Sequence, residues 1–132
     1  MKKIRTLLIC LFAAVLSFSA ISCNTIKEIP EDLTSAQLLR LGQNAYASGD
    51  YINSERYYLE TIARFGDDTE VYIETRYELG HLYMKTKDYR KAFINFNDIL
   101  KIYQTAPMGS FPTAYKKLAQ NQMDQIPDEY KK

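Results

Sequence analysis

The residues able to do chemistry in this 132-residue sequence are few: two cysteines, one histidine and some neighbouring carboxylates. His81 stands between Gly80 and Leu82. A general base or metal ligand needs converging partners at set spacings. The sequence has no second histidine, no HExxH pair, no glycine-rich phosphate loop and no serine in a glycine-flanked elbow. Asp67 and Asp68 could together attract a cation. Carboxylates are equally suited to a helix amino end, where backbone N–H groups lack partners, and that is the reading adopted. The expectation is a chain with no catalytic residue, no metal site and no cofactor, and so not an enzyme.

The cysteines point elsewhere. Lys2, Lys3 and Arg5 precede an uncharged run from Thr6 to Ser22, which is short for a membrane span and ends in small polar residues. A basic start, an apolar core and small residues before a cut form the pattern of an export signal. Cys10 lies within that core and would leave with it. Cys23 would be the one remaining cysteine, which excludes an intramolecular disulfide and a cysteine-based metal site. Removing Lys2, Lys3 and Arg5 leaves 14 of 17 basic residues against 16 acidic ones, a balance of −2. Such a near-neutral, interspersed charge predicts no nucleic-acid partner.

The stretch Ser19-Ala20-Ile21-Ser22-Cys23 resembles a bacterial lipoprotein signal, with Ala20 where that family prefers leucine. The resemblance implies cleavage before Cys23 and attachment of lipid to its thiol. Acyl chains contribute about 0.8 kcal/mol per buried methylene, so two or three would hold the protein on a membrane. Asn24 after the cysteine is similar to signals sorted to the outer membrane. The predicted divisions are a signal peptide at 1–22, a lipidated tether at 23–33, a helical domain at 34–126 and a polar tail at 127–132.

Behind the tether, apolar residues recur at helical spacing and no stretch alternates like a strand. Thr34 and Gln37 have capping-box spacing. Helices are expected from there to Gly49, from Tyr51 to Phe65, from Thr69 to about Thr86 and from Tyr89 to about Gln104. Pro107, Gly109 and Pro112 mark a loop. Pro112 suits the first turn of a final helix that carries Tyr115, Leu118, Ala119, Gln122 and Ile126. Pro127 ends it, and the last five residues read as frayed. The 11 tyrosines are expected to pack between helices with their hydroxyls at the rim.

The helical pattern repeats. Leu41-Gly42 returns as Leu79-Gly80, Asp50-Tyr51 as Asp88-Tyr89, Ser54 as Ala92, Tyr58 as Phe96 and Ile62 as Leu100, each 38 positions later. A constant offset across a helical hairpin signals a repeat architecture. These residues resemble the tetratricopeptide repeat, with the second copy the fuller match. Ala45 stands in the first copy where the family has a tyrosine. The resemblance implies an all-α fold: two repeats plus a capping helix, forming a short right-handed solenoid. Small residues at Gly42, Gly80, Ser54 and Ala92 would let paired helices approach, with Phe96 filling the space.

In that family, the first helices of successive repeats line a face that binds peptide segments. The matching positions are Leu39, Gln43, Tyr46 and Ala47 in the first copy. In the second they are Tyr77, His81, Met84 and Lys85, with Tyr115 and Gln122 following in the cap. The alternative is that they only cover a solvated face. Signal, cysteine, tether and repeats together are similar to the BamD family of outer-membrane assembly lipoproteins, whose members carry more repeats. The function this implies is a lipid-anchored protein–protein interaction module of the bacterial envelope, an accessory of outer-membrane protein assembly. Its partners would be other envelope proteins, including a barrel-assembly protein, and its location the periplasmic face of the outer membrane. Two other readings of the sequence are a scaffold for peptidoglycan or division machinery and a lipid or sugar carrier.

Overall fold

The computed structural model describes residues 28–131. The signal segment, Cys23 and the first part of the tether lie outside the described residues. The chain divides into two units, Met1–Glu31 and Asp32–Lys132, and every helix below belongs to the second.

Helix starts have local chemical causes. Thr34 caps α1 (Ser35–Ala47): its hydroxyl accepts from the Gln37 amide, while the Gln37 side chain accepts from the Thr34 amide. Asp50 caps α2 (Tyr51–Phe65) by accepting from the Asn53 amide. Asp68 caps α3 (Thr69–Thr86) by accepting from the amides of Glu70 and Val71, which gives this carboxylate a structural task. Asp88 caps α4 (Tyr89–Thr105) through the Lys91 amide. The last helix, α5 (Ala114–Asp124), starts without a side-chain cap.

The turns within the two hairpins are copies. The Asp50 amide donates to the Ala45 carbonyl at 2.9 Å, and the Asp88 amide donates to the Tyr83 carbonyl at the same distance. The residue before each aspartate is left-handed: Gly49 at φ +82° and Lys87 at φ +63°. Glycine takes that conformation without a Cβ penalty, whereas Lys87 bears it.

Packing within each hairpin depends on the two helix glycines. A Cβ at Gly80 would sit 2.5 Å from Phe96 Cε1, and one at Gly42 would overlap the Tyr58 ring. Phe96 and Tyr58 are buried, as are Ser54 and Ala92. The glycine on the first helix and the small residue on the second thus leave room for one large ring, in both copies.

α3 touches all four other helices and contributes Ile73, Leu79, Leu82 and Tyr83 to the core. α1 touches α3, and α3 touches α5, whereas α2 and α4 do not touch each other. The layer of first helices is therefore the tighter one. This bends the helical unit so that α1, α3 and α5 form its inner side.

The structure corrects three details. Pro112 does not enter the last helix; it precedes the cap residue Thr113, and its carbonyl accepts from the Tyr103 hydroxyl. Ile126 lies beyond α5 yet is buried, and the tail is not frayed: Asp128–Tyr130 form a 3-10 turn that lays Tyr130 against Tyr89, with ring centroids 5.5 Å apart. Apolar contact holds the tail where helix propensity is spent. The Tyr83 hydroxyl donates to Glu55 of α2 at 2.5 Å.

Candidate functional site

The inner side carries a row of rings drawn from three helices. Tyr46 of α1 lies 5.3 Å from His81 of α3, His81 stacks on Tyr77 at 6.2 Å, and Tyr77 meets Tyr115 of α5 at 5.5 Å. Residues 77 and 81 are one turn apart and so share a face. The neighbouring helices supply the outer rings, and Tyr51 at the start of α2 extends the row beyond Tyr46 at 5.6 Å. All of these rings are half-buried.

Polar groups flank the row. Gln43 reaches from α1 and donates from Nε2 to Glu78 Oε1 at 2.9 Å. Glu74 stands beside the Tyr115 hydroxyl. Burial, then the Glu74 and Glu78 carboxylates, push the Tyr115 phenol up to about 12. Tyr46 and Tyr77 are raised as well, chiefly by burial and also by Glu78. These tyrosines remain neutral hydrogen-bonding groups at any physiological pH.

The anticipated inner-face residues divide on this geometry. Tyr46, Tyr77, His81 and Tyr115 come together, with Gln43 and Gln122 on the same three helices. Met84 is half-buried against the core, and Lys85 is exposed at the far end of α3. Leu39 is a correction: at 6 % exposure it belongs to the core cluster with Leu79 and Leu82 and offers no open surface. Packing into that cluster covers it. Glu74 and Glu78 were not anticipated. Their signal was available, since Glu70, Glu74 and Glu78 recur every four residues on the helix of Tyr77 and His81.

His81 has aromatic neighbours on both sides, and among the described residues no group of three or more histidine, cysteine, aspartate or glutamate side chains could hold a metal. The arrangement suits reversible contact with a polypeptide, since flat rings provide area and the flanking amides and carboxylates provide direction.

Residues 34–105 match the family described as tetratricopeptide repeat. An uncharacterized protein of Treponema pallidum (strain Nichols) is 32 % identical over 92 residues, which is 70 % of this chain and 37 % of that protein. The chain therefore spans little more than a third of this relative's length. No solved structure matches the chain.

Proposed function

Because the chain belongs to the tetratricopeptide-repeat family, we propose that it is a non-enzymatic protein–protein interaction module that receives a peptide segment on its inner face. The observation that carries this reading is the half-buried row Tyr46–His81–Tyr77–Tyr115, contributed by three helices and flanked by Gln43, Glu74 and Glu78. A face that merely covered the core would have no need of open ring surfaces joined across helix boundaries.

The finer part of the proposal concerns place and partner. The module is anchored by lipid on Cys23 at the bacterial outer membrane, facing the periplasm, and serves outer-membrane protein assembly. Support comes from the basic start, the apolar run and the small residues before Cys23. The likeness of tether plus repeats to assembly lipoproteins adds to it.

Co-purification from membranes in mild detergent tests both parts. An envelope protein, a barrel-assembly component on the finer reading, is expected to accompany the native chain. It should be lost from a Tyr77→Ala, Met84→Ala double variant whose circular dichroism is unchanged. Full retention of partners by that variant sinks the inner-face reading. A Cys23→Ala chain should lose incorporated fatty acid and membrane retention; if both persist, the anchor is wrong.

A further inference from the structure

At the end of the inner face, beyond Tyr115, lies a cleft of about 100 Å³. Its floor is Ile73 of α3. Tyr103, Phe111, Pro112 and Tyr115 line it together with Glu70, which is exposed, and Glu74, which is half-buried. No lysine or arginine lines it. The rings are held in place. Tyr103 donates its hydroxyl to the Pro112 carbonyl, Phe111 meets Tyr103 edge-on at 6.2 Å, and Tyr115 leans on Tyr77.

The carboxylates of this face differ from the rest. Among the described residues, six are half-buried: Glu55, Glu60, Glu74, Glu78, Asp88 and Asp98. Glu55 and Asp88 share Lys91, Glu60 pairs with Arg64, and Asp98 pairs with Arg76 and Lys101. Glu74 and Glu78 have no ion pair among the described residues. Glu78 accepts from the Gln43 amide, so Glu74 is the half-buried carboxylate left with only a phenol beside it. A half-buried carboxylate attracts a cation more strongly than an exposed one, and aromatic faces attract the same charge through their quadrupoles.

We propose that this cleft receives the lysine or arginine side chain of a polypeptide bound along the inner face. Charge complementarity selects the occupant: two carboxylates and three rings favour a cation with an apolar stem, which lysine and arginine both have. The proposal rests on the interaction-module reading and deepens it, assigning a basic residue to the segment that leaves the aromatic row at α5.

The test is nuclear magnetic resonance titration of the full ¹⁵N-labelled chain in mild detergent. The probes are capped alanine pentapeptides with lysine, arginine, norleucine or glutamate at the centre. Lysine and arginine peptides are expected to shift the amide resonances of Glu70, Glu74 and Tyr115, and the other two to leave them in place. Glu74→Gln should weaken lysine-peptide binding about tenfold, the loss of one charge-assisted contact. Phe111→Leu keeps apolar volume but removes a ring, and should weaken it about threefold. Equal shifts from the norleucine peptide, lysine shifts confined to other surfaces, or unchanged affinity in both variants would overturn the assignment. Shifts from choline but from neither basic peptide would overturn it in favour of a lipid headgroup. The lysine response at the cleft is read separately from partner retention in the Tyr77→Ala, Met84→Ala chain, so the two proposals fail independently.

Discussion

Ser54 and Ala92 occupy the same place in the two hairpins, and both are fully buried. The Ser54 hydroxyl oxygen makes no hydrogen bond of good geometry there, with only the Tyr58 phenol close to it. Leaving a buried polar group unpaired costs free energy that an apolar group of similar size does not. Ser54→Ala is therefore expected to stabilise the fold by about 1 kcal/mol, measured as a higher urea midpoint with an unchanged slope. The small size at position 54 was legible in the sequence from its alignment with Ala92. The missing partner was not, because it depends on what the neighbouring helix presents at that depth. Leu39 teaches the same lesson in reverse. Its spacing placed it with Gln43 and Tyr46, and only its packing into the core cluster decided that it is covered.

Between elements, the fold relies on one motif used twice, a helix glycine facing a ring. Gly80→Ala would place a methyl against the ring of Phe96, which is fully buried. Overpacking of this kind costs about 1–3 kcal/mol, so the variant should melt several degrees lower in a thermal scan. The hairpins are then joined by polar contacts from Tyr83. Its hydroxyl donates to Glu55 of the preceding hairpin, and Lys91 lies over its ring while pairing with the same carboxylate. The equivalent position of the first copy is Ala45, whose methyl side chain makes no such polar contact. Arg76 adds a second link within the α3–α4 hairpin, bonding Asn95 at 3.0 Å and lying over the Tyr72 ring.

Across the whole helical unit, the interior is rich in neutral phenols. Burial is the main cause that raises Tyr46, Tyr58, Tyr77, Tyr83, Tyr103 and Tyr115 above the ordinary value of 10.0. For Tyr115 the rise is to about 12. The folded state thus holds these protons more tightly than the unfolded chain does. Their contribution to stability is complete below about pH 10 and is lost as pH rises from there through the folded values. Urea denaturation repeated at rising alkaline pH should show stability falling over that interval, with phenolate absorbance appearing together with unfolding. Tyr115→Phe should lessen the fall.

The sequence by itself determined the helices, their caps and the repeat. Capping chemistry, glycine turns and helical spacing act over a few residues, and a 38-residue echo is visible without coordinates. It also singled out Tyr46, Tyr77, His81 and Tyr115, since residues matching first helices of repeats tend to share a side. What only the tertiary structure decided was which side chains meet across helix boundaries. Rotation of each helix about its axis covers Leu39, brings His81 between two tyrosines, and leaves Glu74 facing a ring-lined cleft without a basic partner. It also holds Ile126 and Tyr130 against the fold past the point where helix propensity ends. Those outcomes depend on packing between segments distant in the chain, and local spacing does not encode it.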